Sequence, residues 1–219
     1  MTPFDNMLEY TRDLDANNNR AWFHDNHRQY EQARDDFYMV LDVMKFVLAK
    51  NAPELGDMIM FNEPKSFMYR IPRDMRYSRE QTPYNPAFRA YLSPNKKDFL
   101  PLAYYLHISY LGCYLDCGVW PYERDQLNRL REYLAVNYEE LDMIAAENRL
   151  DIYGEQLKRV PRGYEQDHPA AKWLKYKYML TEYAFKPSEL ASLDAFSDAA
   201  GAAVARFEPF RKYLTAAYT

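Results

Sequence analysis

Between Lys65 and Tyr84, residues able to do chemistry are denser than elsewhere, and arginine recurs every three residues. The arginines are Arg70, Arg73, Arg76 and Arg79, interleaved with the tyrosines Tyr69, Tyr77 and Tyr84. A guanidinium presents a planar fork of donors that matches a carboxylate or a phosphate. Because Pro72 and Pro83 exclude a long helix, a strand followed by an ordered loop would bring several guanidiniums to one point. The tract predicts an anion site or, alternatively, arginines that pair with acidic side chains or lie in solvent.

A second basic element runs from Lys158 to Tyr164 and is followed by Asp167 and His168. If it folds beside the first basic element, Arg162 would add charge to the same electropositive pocket. The alternative is a structural loop in which His168 caps the next helix. The sequence leaves both interpretations open.

The remaining histidines and the cysteines predict little chemistry. His107 lies in an apolar run and is either a general base facing the arginines or a hydrogen-bonded core residue. The spacing of His24 and His27 does not match a metal-binding helix, and Cys113 and Cys117 lack a second ligand pair. The sequence also lacks phosphate-binding and dinucleotide-binding glycine motifs. We therefore predict neither a metal nor a cofactor.

The charge distribution separates one segment from the rest of the 219 residues. Residues 65–97 hold eight Lys and Arg against two Asp and Glu, a net charge of +6, within a chain of net charge −4. The acidic remainder argues against bulk nucleic-acid binding, which normally needs a basic surface. The chain contains no apolar run long enough for a membrane span, and its first residues do not resemble a signal peptide. We expect a cytoplasmic protein.

The elements that must position these residues follow from periodicity and from the prolines. We predict helices at 3–14, 20–49, 122–148 (broken near Asn137), 169–182 and 195–217, and strands at 67–71, 103–109 and 114–117, with a turn near Gly112. The asparagines at 17–19 are suitable N-caps for the long helix. Helices on both sides of a strand region predict one α+β domain over residues 1–219. Its antiparallel sheet comes from the middle of the chain and is packed by the N- and C-terminal helices.

Several motifs together resemble a known family over nearly the whole chain. They are Asn-Asn-Arg-Ala-Trp-Phe at 18–23, Arg-Ile-x-Arg-Asp-x-Arg-Tyr-Ser at 70–78 with Thr-Pro-Tyr at 82–84, Tyr-Tyr-Leu-His at 104–107, and the stretch from Leu157 to Pro169. This set is similar to the DUF2461 family of conserved hypothetical proteins, whose function is unknown. The resemblance implies an α+β domain and names no reaction, but its motifs coincide with the basic and aromatic elements above.

Our leading hypothesis is a protein that binds a small anionic ligand, such as a phosphate or carboxylate. The predicted ligand-binding residues are Lys65, Tyr69, Arg70, Arg73, Arg76, Tyr84, Trp120 and Arg162. The candidate acid–base residues, should the protein be an enzyme, are His107, His168 and Asp74.

Two other hypotheses belong to different functional classes. Arginine and tyrosine are enriched at protein interfaces, so the same residues could form a protein-interaction surface, including one between copies of this chain. A broad, flat patch favours that hypothesis, and a concave pocket favours the small ligand. A weaker alternative is local contact with single-stranded nucleic acid through the basic loop and stacking tyrosines.

Overall fold

The computed structural model describes residues 2–76, 82–94, 103–121 and 123–219. Alternating apolar and polar residues form a four-stranded antiparallel sheet whose strands follow one another in chain order. The strands are β1 (Phe88–Leu92), β2 (Tyr104–Ser109), β3 (Gly112–Val119) and β4 (Met179–Ala184). The predicted α+β class is confirmed, although β4 comes from the C-terminal part of the chain.

The N-terminal part of the chain forms four helices: α1 (Pro3–Ala16), α2 (Arg20–Asp25), α3 (His27–Asn51) and α4 (Pro53–Ile59). Thr2 and Asp5 form a capping box at the start of α1. The side chain of Asn19 caps α2 by accepting a hydrogen bond from the backbone N–H of Trp22, which confirms the expected asparagine cap. The predicted helix at 20–49 is divided at Asn26, whose side chain donates to the Trp22 carbonyl at 2.9 Å.

The C-terminal part forms α5 (Arg124–Glu147), α6 (Ala171–Leu174) and α7 (Leu193–Ala216). The predicted break in α5 is confirmed, because Asn137 has non-helical angles of φ −111° and ψ 21°. The hydroxyl of Tyr213 donates to the Asn137 carbonyl at 3.0 Å, which satisfies the acceptor at the kink. Of the described helices, none is both long and apolar enough to cross a membrane.

Two element predictions are wrong, and one strand of the sheet was not predicted. Residues 169–182 do not form the predicted helix but the short α6 and the start of β4. Met179 and Thr181 are buried while their neighbours in sequence are not, and this alternation is typical of a strand. Strand β1 was not predicted. The segment at 67–71 makes only one bridge, from Met68 to Ala90, with backbone bonds from Tyr69 to Arg89 and from Tyr91 to Phe67. Its pairing with β1 is too short for a strand.

The two faces of the sheet have different surroundings. The inner face packs on α1, α3 and α7 through buried residues that include Phe88, Leu106, Ile108, Leu115 and Cys117. A second cluster joins α5, α6 and the end of α7 to the Val119–Met179 end of the sheet. The outer face carries the alternate residues of the same strands, and these are mostly tyrosines and ionisable side chains.

Candidate functional site

Two of the predicted basic residues form ion pairs at the protein surface. Lys65 lies 2.5 Å from Glu63, and the two side chains are 70% and 67% exposed. Arg76 lies 2.7 Å from Asp74, also in an exposed pair. Both pairs join residues two positions apart in the chain. The structure therefore gives these side chains carboxylate partners, as in the alternative interpretation of the arginine tract. Arg79 lies outside the described residues.

Arg73 and Tyr84 hold the basic tract at residues 65–84 against the N-terminal helices. The Nε of Arg73 donates to the carbonyl of Tyr84 at 3.0 Å. Asn18 bonds both the backbone N–H and the carbonyl of Tyr84, each at 3.0 Å. The Tyr84 ring stacks on Phe23 with a centroid distance of 4.2 Å. These contacts give both residues a structural role at this position.

Three predicted residues, Lys65, Tyr69 and Arg70, do come together. They line a shallow depression of about 440 Å³ with Met68 and the α3 tyrosines Tyr30 and Tyr38. The guanidinium of Arg34 lies over both α3 rings, 5.8 and 5.7 Å from their centroids, and pairs with Asp35 at 2.9 Å. The depression therefore combines aromatic rings with cationic groups.

The second basic element packs in another part of the molecule. Val160, Tyr164 and Ala170 belong to the cluster formed with α5 and α7, whereas Phe67 and Ile71 beside the first element belong to the cluster under the sheet. The Nδ1 of His168 accepts a bond from the Ala170 N–H at 3.0 Å, just before α6. The bond stabilises the turn before α6, whose N-cap residue is Ala170, and no side chain caps that helix, so the expected capping by His168 is wrong. Arg162 is exposed on this element.

The outer face of the sheet forms a cleft of about 390 Å³ that is separate from most of the predicted residues. We call it the aromatic cleft. Its described lining consists of six tyrosines, one tryptophan, one carboxyl and three small or aliphatic residues: Tyr69, Tyr91, Tyr105, Tyr114, Tyr153, Tyr178, Trp120, Asp116, Ala103, Gly118 and Leu180. Of the predicted site residues, Tyr69 and Trp120 lie here.

The sheet register determines which side chains meet in the aromatic cleft. Tyr91, Tyr105, Asp116 and Glu182 are successive cross-strand neighbours from β1 to β4. Two residues after Asp116 on the same strand, Gly118 (φ 151°) contributes no side chain to the floor of the aromatic cleft. The backbone of β4 is so close that a Cβ at Gly118 would lie 2.1 Å from the Met179 carbonyl oxygen. The floor at this point is therefore backbone.

Two walls close the aromatic cleft at the β4 end. Tyr153 exchanges backbone hydrogen bonds of 2.8 and 2.9 Å with Leu180, so the segment before α6 runs alongside β4. Trp120 stacks on Tyr178 with a centroid distance of 3.9 Å and an interplanar angle of 8°. Trp120 nevertheless remains 48% exposed. One face of its ring is therefore covered while the indole still borders solvent.

Asp116 is the only charged residue among the described lining residues of the aromatic cleft. It is 9% exposed, and its Oδ1 accepts a long hydrogen bond of 3.5 Å from the Tyr153 hydroxyl. Burial, with the neighbouring charge of Glu182, raises the pKa of Asp116 to about 7. A carboxyl group with such a pKa can accept or donate a proton near neutral pH.

His107 and Arg89 lie on the outer face in the next cross-strand row. His107 stacks on Tyr114 at 4.5 Å, and burial, reinforced by the charge of Arg89, lowers the pKa of His107 to about 4. The imidazole is therefore neutral at pH 7. Arg89 donates from Nη2 to the Arg70 carbonyl at 3.4 Å, and its guanidinium lies 5.6 Å from the Tyr69 ring centroid.

Three tyrosines of the aromatic cleft, Tyr105, Tyr114 and Tyr153, are neutral hydrogen-bonding groups at physiological pH. Burial raises the pKa of Tyr105 to about 12 and also raises the pKa values of Tyr114 and Tyr153. Their hydroxyls can therefore donate or accept hydrogen bonds while their rings offer apolar faces. Within the described ranges, no three or more His, Cys, Asp or Glu residues group together as potential metal ligands.

Comparison with known proteins gives a family. The family model described as "Conserved hypothetical protein (DUF2461)" matches residues 6–213. The chain belongs to the DUF2461 family. Comparisons with curated proteins and with solved structures find no match.

Sequence reasoning missed several residues of the aromatic cleft in this DUF2461 chain. They are Asp116, Tyr91, Tyr105, Tyr114, Tyr153 and Tyr178. One signal was available, because Tyr114, Asp116 and Gly118 alternate along β3 and must therefore share one face of the strand, and Trp120 continues the same spacing just beyond the end of β3. Tyr153, which pairs with Leu180 of β4, and Tyr178, which stacks on Trp120, reach the aromatic cleft only through long-range pairing that the spacing does not reveal.

Proposed function

We propose that this DUF2461 protein binds a small organic molecule with a flat ring in the aromatic cleft. The observation that carries the proposal is the cleft itself, a cavity of about 390 Å³ in which seven aromatic side chains surround one buried carboxyl. Ligand sites are typically concave and apolar, with a few placed polar groups that orient the ligand. The concave shape supports a small ligand over the protein-interaction hypothesis.

The lining suggests how such a ligand would be held. Offset or parallel stacking on an aromatic face contributes about 0.5–1.5 kcal/mol beyond the burial of area. Asp116 lies within the row of tyrosines and would fix the orientation of the ligand by accepting or donating one hydrogen bond. Its pKa of about 7 also makes it the group suited to move a proton if the ligand is a substrate.

A screen of flat-ring compounds by ligand-observed NMR tests the proposal. We expect hits whose affinity falls about tenfold in Trp120→Ala, because one stacking wall is lost. Phe61→Ala is the matched control, since Phe61 is a 96% exposed aromatic residue that does not line the aromatic cleft. Hits that bind Trp120→Ala as tightly as the wild type would contradict the proposal.

A second candidate function keeps the anionic ligand predicted from the sequence. It is favoured by the depression in which Lys65, Tyr69 and Arg70 meet Tyr30 and Tyr38. We infer that a phosphate or carboxylate would bind there. Thermal shifts with inorganic phosphate and citrate should disappear in Arg70→Gln and persist in Arg162→Gln, the exposed arginine of the other element. Equal shifts in both variants would contradict it.

A further inference from the structure

The aromatic cleft combines π faces with negative charge. Aromatic faces carry negative electrostatic potential and attract cations placed within about 6 Å of the ring centre. The described lining contains seven aromatic rings and no lysine or arginine. Its charged member is Asp116, and the cross-strand neighbour of Asp116 is Glu182. These charges are of the sign that complements a positively charged ligand.

The basic residue Arg89 lies on the same outer face, one cross-strand row away from Asp116, and is engaged by neighbouring groups that include the lining residue Tyr105. Arg89 directs Nη2 to the Arg70 carbonyl, and its guanidinium lies against the ring of Tyr69. The charge of Arg89 acts mainly on Tyr105 and His107, whereas the charge of Glu182 acts on Asp116 and Tyr153 and outweighs that of Arg89 at Tyr114. The aromatic cleft is therefore polarised, and its β3–β4 end is the acidic one.

We propose that the aromatic cleft binds an organic cation, either a protonated amine or a quaternary ammonium, against Tyr153, Tyr178 and Trp120 with Asp116 as its counter-charge. This inference rests on the proposed function and names its ligand class. Trp120 is the best cation–π partner among the side chains, and Tyr153 already places its hydroxyl beside the Asp116 carboxyl. An anion at the same place would meet the carboxyl group of Asp116 and would lie near its cross-strand neighbour Glu182.

The groups that face Asp116 make the binding depend on pH. They are Glu182 on β4, Tyr153 from the segment before α6, and Tyr105 and Tyr114 on the same outer face. The tyrosines stay neutral, so Asp116 is the group that changes charge near pH 7. A cation should bind more tightly above this pH, where the carboxylate is ionised, and binding should lower the pKa of Asp116.

Calorimetric titration of the full chain at pH 8 with four benzyl probes of similar size tests the inference. The probes are benzylammonium, benzyltrimethylammonium, benzyl alcohol and benzoate, so that charge varies on a constant ring. We expect the better cation to bind about tenfold more tightly than the alcohol. The order of the two cations distinguishes a hydrogen-bonded amine from a caged quaternary ammonium.

Two variants separate charge from shape. In Asp116→Asn, the affinity for the cation should fall to within about threefold of the affinity for benzyl alcohol. In Asp198→Asn, on the exposed surface of α7, the cation should keep its full advantage in affinity over the alcohol. If Asp116→Asn does not fold, the exposed Glu182→Gln should reduce the preference by about threefold. Lowering the pH from 8 to 6 should weaken the binding of the cation to the wild type by up to about tenfold and should leave the binding of benzyl alcohol unchanged.

The outcomes distinguish this inference from the proposed function. Equal binding of benzyl alcohol and the cations overturns the cation class and leaves the aromatic cleft as a ligand site. If benzoate binds more tightly than the other three probes, the cation class is overturned and the ligand class becomes an anion. If none of the four probes binds, the cation class is overturned, and the ring-compound screen with Trp120→Ala decides the proposed function separately.

Discussion

The two faces of the sheet use alternate residues of the same strands for different purposes. On β3, Leu115 and Cys117 point inward and are at most 1% exposed in the core. Between and beside them, Asp116 and Gly118 point to the aromatic cleft. The inner face is apolar and covered by helices, and the outer face holds groups with displaced pKa values.

This contrast teaches where side chains, as distinct from the backbone, can be exchanged without unfolding the protein. Inner residues contribute burial, which is the largest favourable contribution to folding. Outer residues include a carboxyl and an imidazole whose charged forms are destabilised by their surroundings. Groups held in this way lower the stability of the fold at any pH where the unfolded chain would charge them, and they are typical of functional sites. The contrast can be tested by substitutions that should affect one face and spare the other.

The largest effect is expected at the floor of the aromatic cleft. Gly118→Ala should lower the free energy of unfolding by more than about 3 kcal/mol or prevent folding, because the new Cβ would meet the Met179 carbonyl oxygen and the Leu180 Cα. Gly112→Ala is the matched control, with a similar φ of 159° and no atom within 4 Å, and should cost about 1 kcal/mol. Urea denaturation of both variants measures the difference. Equal costs would show that the backbone approach at Gly118 is not limiting.

The next effect compares the faces directly. Leu115→Ala should lower the free energy of unfolding by about 2–5 kcal/mol, because it opens a cavity in the core. Trp120→Ala should cost only about 0.5–1.5 kcal/mol, because the half-exposed indole loses mainly its stacking with Tyr178. Denaturation curves give the costs, and ligand titration should show the reverse order for binding. The division between faces fails if Trp120→Ala is the more destabilising variant.

A pH series tests the two displaced pKa values, which act in opposite directions. Between pH 4 and 7 the folded chain holds a proton on Asp116 that the unfolded chain releases, so this residue makes stability fall as pH rises. Between pH 4 and 6.5 the unfolded chain binds a proton on His107 that the folded chain does not, so stability rises with pH. In the wild type the two contributions largely cancel.

Substituting either Asp116 or His107 alone should expose the pH dependence that the remaining residue gives to the stability of the protein. Relative to the wild type between pH 4.5 and 6.5, the stability of Asp116→Asn should rise with pH by up to about 1.4 kcal/mol per unit, and that of His107→Gln should fall by a similar amount. Denaturation at each pH measures the slopes. Curves parallel to that of the wild type would mean that these residues titrate as they do in the unfolded chain.

The smallest effects are expected in the basic tract. Arg73→Gln should cost about 1 kcal/mol, because it removes the bond from the Arg73 Nε to the Tyr84 carbonyl. Lys65→Gln should leave the thermal unfolding midpoint unchanged, since its ion pair with Glu63 is exposed and screened by solvent. A measurable shift for Lys65→Gln would indicate a structural role beyond that pair.

The sequence allowed the fold class, most helices and two strands of the sheet to be predicted, because these depend on local periodicity and caps. The kink at Asn137 and the cap at Asn19 are examples. The aromatic cleft was harder to predict, because Asp116 meets Glu182 and Tyr153 only through contacts between distant parts of the chain. Charge counting located the basic tract but could not reveal that Glu63 and Asp74 pair with its members.

The order of the strands has a consequence for how the chain assembles. Strands β1, β2 and β3 follow closely in sequence, but β4 pairs with β3 only after α5 and α6 have intervened. Contacts between distant residues close a larger loop and tend to form late in folding. Tyr153 and Tyr178 reach the aromatic cleft with this last pairing. A molecule that recognises only the completed cleft should therefore slow the unfolding rate while leaving the refolding rate almost unaltered.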